Sequence, residues 1–294
     1  MTLWRTLSVS IAAAILAISL AFPVMAEDIG RDFSKGSTLE KILQRKTLKV
    51  GISIFEPWVM KDQDGQYIGF EVDVAKRLAL DMGVQLSFVP TDWDSIIPAL
   101  VAHKFDIIIC GMNMTPERIL KVNFSDPYEF NSMSIVANKN VETGKMSRAD
   151  YNNARVGGPA HLFALEDFNS PKIRIGVRLG TTAENAVKNY TPKAKAVVFE
   201  NEEKSIEALL NGDVSCLMLS QPLPRMLAQK YPKKLYLPMK SGFAREPSGF
   251  AVRKGDPDFL TYLNNWIRIC NSNGWLKARY QHWFKTDPWK TQIK

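Results

Sequence analysis

The stretch Phe105-Asp106-Ile107-Ile108-Ile109-Cys110-Gly111-Met112-Asn113-Met114-Thr115-Pro116-Glu117-Arg118 carries the reading of the fold. From Phe105 to Cys110 it is nearly all apolar, without polar alternation, as expected of a strand covered on both faces. Gly111 breaks the run. Thr115 then suits a helix N-cap and Pro116 the first helical position, so backbone N–H groups there point at the mouth of the sheet. A doubly covered strand passing into a helix is part of a parallel α/β unit. Ligands of such sheets collect outside the carboxyl ends of the strands.

The flanking sequence completes the unit. Leu48 to Ile54 reads as a strand, preceded by a helix whose start, Ser37-Thr38-Leu39-Glu40, has the form of a capping box. Glu71 to Met82 reads as a helix with Val74, Ala75, Leu78 and Met82 on one face and Gly83 closing it. Leu86 to Val89 gives a strand and Asp94 to His103 a helix. The same strand–helix–strand–helix–strand order returns in Ile173 to Val177, Thr182 to Tyr190, Ala196 to Phe199, Glu202 to Leu210 and Val214 to Leu219. Two such units predict two α/β lobes with largely parallel sheets. Strands at Leu235 to Leu237 and Gly249 to Val252 follow, then helices at Pro257 to Cys270, closed by Asn273-Gly274, and Trp275 to Phe284. If these last helices return to the first lobe, the chain crosses twice, and two extended crossings form a hinge. The expected division is 1–26 as a leader, 27–133 with 248–294 as one lobe, and 134–247 as the other.

Arg5, an apolar stretch from Ile11 to Phe22, Pro23 and the small-residue ending Val24-Met25-Ala26 read as a secretory signal peptide cleaved after Ala26. A membrane anchor wants about 20 apolar residues, and Ser8, Ser10 and Ser19 interrupt this one. The chain is 46% hydrophobic and 10% aromatic, enough for a core and unlike a disordered tail. Its net charge of +8 comes from scattered Lys and Arg without a phosphate-tracking run, which argues against nucleic acid and for a dispersed basic surface. Cys110, Cys216 and Cys270 are odd in number and irregularly spaced, so no disulfide framework is expected, although one bridge stays open. Cys110 is the first cysteine, so no lipid-bearing mature N-terminus is expected, and the product should be soluble in the periplasm.

Two strand-to-helix turns stand out as anion sites. In the first, Arg118 falls in the first helical turn, where the helix dipole disfavours a cation by ~0.3–1 kcal/mol. An anion beside it would explain that placement; pairing with Glu117 or Asp126 is the competing reading. The second turn, Arg178-Leu179-Gly180-Thr181-Thr182-Ala183-Glu184, has Gly180 for close backbone approach and Thr181 with Glu184 in capping-box spacing. Arg178 alone could equally be a solvated strand-end charge. Two helix N-termini, one per lobe, would face each other across a cleft. His103, His161 and His282 lack metal-ligand spacing, and there is no nucleophile elbow or phosphate loop, so no catalytic set, metal or cofactor is expected.

From about Leu48 to Phe284 the chain resembles the family 3 periplasmic solute-binding proteins, the polar amino-acid binding proteins of ABC importers. The motifs that carry the resemblance are Gly69-Phe70-Glu71-Val72-Asp73, Asp92-Trp93-Asp94 with Ile97-Pro98-Ala99-Leu100, Lys104-Phe105-Asp106, Gly111 with Thr115-Pro116-Glu117-Arg118, Phe124-Ser125-Asp126-Pro127-Tyr128, Gly180-Thr181-Thr182-Ala183-Glu184, and Val252-Arg253-Lys254-Gly255-Asp256. The resemblance implies the two-lobed α/β periplasmic-binding-protein fold, a monomer, a membrane ABC permease as partner and closure over a small carboxylate ligand. It implies that Arg118 clamps the carboxylate, helped by N–H groups of Asn113 and Thr181 and hydroxyls of Thr181 or Thr182. It places the Gly111 carbonyl on the ligand amine and the ligand side chain between Phe55 and Trp93.

The departures bear on the ligand. An Asp expected on the last strand of the second lobe is replaced by Ser220, an acid expected before the first aromatic is replaced near Ser53, and Asn113 stands where Ser or Thr is commoner. With those acids missing and Arg118 and Arg178 present, a Lys- or Arg-like ligand would bury charge without a partner. The expected ligand is a neutral or acidic amino acid or a related carboxylate, unless Glu56 replaces a missing acid. Two alternatives stand beside this one. The first is a dehydratase-like enzyme with Glu56 or Glu184 as general acid, in the manner of the cyclohexadienyl and arogenate dehydratases that the fold also supports; the second is an accessory partner of another periplasmic protein.

Overall fold

A computed structural model describes residues 36–141, 164–239 and 241–286. The expected leader, His161 and parts of the expected lobes 27–133 with 248–294 and 134–247 lie outside them.

The first lobe opens with α1 (Thr38–Arg45), where Ser37 Oγ accepts from Glu40 N–H at 3.1 Å. Then come β1 (Thr47–Ile52), a small hairpin β2 (Met60–Lys61) and β3 (Tyr67–Ile68), α2 (Phe70–Asp81) and β4 (Gln85–Pro90). A 3₁₀ turn (Trp93–Ser95), α3 (Ile96–Val101), β5 (Ile107–Ile108), α4 (Pro116–Ile119) and β6 (Asn123–Phe124) complete it. The second lobe holds β7 (Glu129–Asn138), β8 (Arg174–Arg178), α5 (Thr182–Tyr190), β9 (Lys195–Phe199), α6 (Glu202–Asn211), β10 (Cys216–Ser220), α7 (Leu223–Lys230), β11 (Leu235–Tyr236) and β12 (Phe243–Ser248). β13 (Ala251–Val252), α8 (Pro257–Ser272) and α9 (Trp275–Phe284) follow.

One sheet has the order β4-β1-β5-β13-β6 and the other β11-β7-β10-β8-β9, with β12 added on β7. Each has a parallel centre, β4-β1-β5 and β9-β8-β10, to which antiparallel strands attach. The inner parallel strands are covered on both faces: Val50, Ile52, Ile107 and Ile108 are at most 1% exposed, as are Ile175, Val177 and Met218, whereas the edge strands β4 and β9 are half-buried or exposed. Burial of this kind contributes roughly 25 cal/mol per Å² of apolar surface.

The chain passes from β6 in the first sheet to β7 in the second, and from β12 back to β13. β7 and β12 pair antiparallel from Glu129↔Ser248 to Met133↔Phe243, so the crossings lie side by side. The sequence-derived boundaries at 133/134 and 247/248 fall within these two strands. Sequence patterning missed β7 as a long strand, β12, α7 and the β2–β3 hairpin. β7 is buried on both faces over its second half, with Met133, Ile135 and Ala137 in one core cluster and Val136 in another, so it shows no alternation.

The three cysteines are buried and free, which excludes the one bridge left open above. Among the described residues no helix is long and apolar enough to cross a membrane.

Candidate functional site

The carboxyl ends of the parallel strands of both sheets converge on one cleft. The first lobe contributes Phe55 beyond β1, Trp93 beyond β4, and Gly111, Asn113 and Arg118 beyond β5. The second contributes Arg178, Thr181 and Thr182 at the β8–α5 turn and Ser220 at the end of β10. All nine residues singled out from sequence line the same cavity. Met133, Ala183, Glu202, Met218 and Leu219 complete it. Glu202 was legible in principle, since it opens α6 just past β9 as Thr182 opens α5 just past β8.

Arg118 spans the cleft. Thr115 Oγ1 caps its helix by accepting from Arg118 N–H at 3.3 Å, with Pro116 in the first turn as expected. Its guanidinium donates to the Asn113 carbonyl at 2.7 Å and, across the lobes, to the Gly180 carbonyl at 2.9 Å, and lies 5.4 Å from the centre of the Trp93 ring. Among the described residues no acid lies within ion-pair distance of it, so the competing pairing with Glu117 or Asp126 is not made; Asp126 pairs with Arg268 instead. Burial pulls the Arg118 pKa below the usual guanidinium value. Trp93 Nε1 also donates to the Gly180 carbonyl, at 3.0 Å.

Arg178 is not a solvated strand-end charge; it is 6% exposed. It donates to Glu202 at 2.6 Å, and across the cleft to the Ile54 carbonyl and Ser53 Oγ, both at 3.1 Å. Burial raises the Glu202 pKa above the usual carboxylate value, opposed by the charge and hydrogen bond of Arg178.

The capping box expected at Thr181 is not formed. Thr181 Oγ1 donates to the Arg178 carbonyl at 2.7 Å, and Glu184 reaches past Thr181 to accept from Gly180 N–H at 3.1 Å. Glu40 does the same in the first lobe, accepting from Gly36 N–H. In both places the chain turns through a glycine with positive φ, +81° at Gly36 and +70° at Gly180, which brings the earlier N–H round to the carboxylate.

Asn113 is a hub. Its Oδ1 accepts from Asn131 of β7 at 3.0 Å and Ser248 of β12 at 2.7 Å, while its Nδ2 donates to Thr182 Oγ1 at 3.2 Å and Glu246 Oε2 at 2.5 Å. Ser or Thr could not make four such bonds, which gives the departure at this position a physical reason. Thr182 Oγ1 itself donates to Glu246 at 2.8 Å, so the threonine hydroxyls are engaged with the protein. Burial raises the Glu246 pKa, opposed by Thr182, Arg118 and Asn113. Glu56 is also raised by burial, but it sits by Lys230 and Glu203 and does not line the cavity.

The cavity measures about 30 Å³, room for little more than a water molecule. Admitting a solute therefore requires the lobes to part, breaking the cross-cleft bonds of Arg118, Trp93 and Arg178. Among the described residues no cluster of His, Cys, Asp and Glu could hold a metal ion.

Known proteins place this geometry in context. The L-cystine-binding protein TcyJ of Escherichia coli K12 is 28% identical over 258 residues, covering 87% of this chain and 90% of that protein. The crystal structure of an ancestral amino acid-binding protein, a precursor of cyclohexadienyl dehydratase, is 39% identical with a TM-score of 0.70, covering 84% of this chain and 99% of that one. A putative binding component of an ABC transporter from Wolinella succinogenes, complexed with lysine, is 34% identical with a TM-score of 0.73, covering 84% and 99%. Residues 48–286 match the family model, and with it the two sheets, the double crossing and the cleft acquire a common origin: the chain belongs to the bacterial extracellular solute-binding proteins, family 3.

Proposed function

We propose that the protein is the periplasmic substrate-binding component of an ABC importer and binds a small neutral or acidic amino acid or related carboxylate by lobe closure. The observation that carries the reading is Arg118, a half-buried cation that makes no ion pair among the described residues and whose guanidinium reaches from one lobe to the Gly180 carbonyl of the other. A ligand carboxylate taking the bidentate fork would replace carbonyl dipoles with a full charge and tie the lobes together, so ligand and closure stabilise each other. The pair β7 and β12 would serve as the hinge, and the permease as the partner that receives the ligand. The Wolinella relative holds lysine; here Arg118 and Arg178 line the cavity and its one carboxylate, Glu202, is already paired, which disfavours a third cation.

A thermal-shift screen of ligand-stripped protein against amino acids and amine-free mono- and dicarboxylates tests this. A true ligand at 100 times its Kd adds about 2.7 kcal/mol. Stabilisation by neutral or acidic compounds that disappears in Arg118→Gln supports the proposal; stabilisation only by lysine or arginine overturns the ligand class, and none at all overturns the function.

One observation favours a second reading as an enzyme: Glu246, a carboxyl raised by burial, lies against Asn113 and Thr182 at the cleft. Such a group could act as a general acid. Loss of water from a cyclohexadienyl acid, followed by absorbance and abolished by Glu246→Gln, would establish it.

A further inference from the structure

We propose that Glu202 sets the charge of the ligand the cleft accepts, by cancelling Arg178 and leaving Arg118 as the lining cation that makes no ion pair among the described residues. The inference rests on the reading of the cleft as a carboxylate site and names its selectivity element.

Arg178 and Glu202 both line the cavity, with side chains only 7% and 14% exposed and 2.6 Å between Nη1 and Oε2. The pair is held on both sides of the cleft, because Arg178 also donates to the Ile54 carbonyl and Ser53 Oγ of the first lobe. Its guanidinium therefore cannot swing out to solvent while the lobes are closed. Arg178 Nε is buried and has no partner among the described residues, so an acceptor presented there would find a donor waiting. Arg118 differs in kind: its partners are the carbonyls of Asn113 and Gly180. The lining thus carries two guanidiniums and one carboxylate, and it matches a ligand with one net negative charge. The other polar lining groups are uncharged; Glu246, outside the lining, is bound to Asn113 and Thr182, and its charge interacts with Arg118 without forming an ion pair.

Glu202→Gln leaves the glutamine oxygen to accept from Arg178 but raises the lining by one positive charge. Arg178→Gln lowers it by one and frees the Glu202 carboxylate. The two substitutions should move selectivity in opposite directions, which a merely structural pair would not do. Affinities of lysine, glutamine, glutamate, phenylpyruvate and succinate are measured by calorimetry for the wild type, Glu202→Gln and Arg178→Gln, with circular dichroism to establish folding. In the wild type, glutamate or phenylpyruvate should bind best. Glu202→Gln should gain on succinate relative to that ligand by about tenfold or more, and Arg178→Gln should gain on glutamine or lysine by a similar factor, as expected for a unit charge a few ångströms from the ligand. If Glu202→Gln does not fold, the Arg178→Gln ranking decides alone. Equal weakening of every ligand, with the ranking unchanged, overturns the proposal while the carboxylate site stands. A wild type that binds none of the five overturns both.

Discussion

Substituting Glu129 by Gln should flatten the dependence of stability on pH between about 5 and 8. Glu71 and Glu129 are 0% and 3% exposed, and their charges interact. Glu71 Oε2 accepts from the Tyr128 hydroxyl at 2.7 Å and Glu129 Oε2 from Trp58 Nε1 at 2.8 Å, while Glu129 Oε1 has no hydrogen-bond partner among the described residues. Burial, then the neighbouring Glu129, holds Glu71 well above the ordinary carboxylate pKa. Burial pushes Glu129 up to about 8, against the Trp58 bond.

A raised folded pKa means that the folded state keeps a proton the unfolded chain releases. The resulting stability is fully present below the unfolded value of 4.5 and is lost as pH rises through about 8. The slope is roughly 1.4 kcal/mol per pH unit for one proton, and on the order of 5 kcal/mol over the interval. Tyr128, Tyr280 and Cys110 surround the pair, and burial pushes all three upward, so they do not titrate in this window. Glutamine keeps an acceptor for Trp58 and removes the charge that acts on Glu71. Urea melts of wild type and Glu129→Gln at several pH values from 5 to 9 give the two curves; parallel curves would refute the argument.

Three further outcomes follow from the site. Gly111→Ala should destabilise by ~2 kcal/mol or more in a urea melt, because Gly111 has φ +69° and a Cβ there would lie 2.9 Å from the Trp58 ring. Ser220→Asp, which places an acid in the cavity lining, should shift ligand preference toward α-amino compounds, and an unchanged ranking would count against the role given to that position. Trp93→Phe removes the cross-lobe bond to the Gly180 carbonyl, so ligand affinity by calorimetry should fall by about fivefold, the equivalent of ~1 kcal/mol.

Local sequence is enough for the two α/β units and the two strand-to-helix turns that carry Arg118 and Arg178, whereas Phe55, Trp93, Gly111, Asn113 and Ser220 follow from the family resemblance. The units and turns are local matters: an apolar run such as Ile107-Ile108-Ile109, a Thr115-Pro116 helix start or a Gly180 turn constrains its own backbone whatever surrounds it. How the charges and polar groups pair depends on tertiary packing. Arg178 reads alike in sequence whether solvated or bonded to Glu202, 24 residues away, and Ser53, 125 residues away. Asn113 looked like a departure until Asn131, Ser248, Thr182 and Glu246 gathered round it. Hydrogen bonds and ion pairs act over a few ångströms, so the partners of a buried polar group are set by which distant segments the packing brings together, and sequence spacing does not encode that.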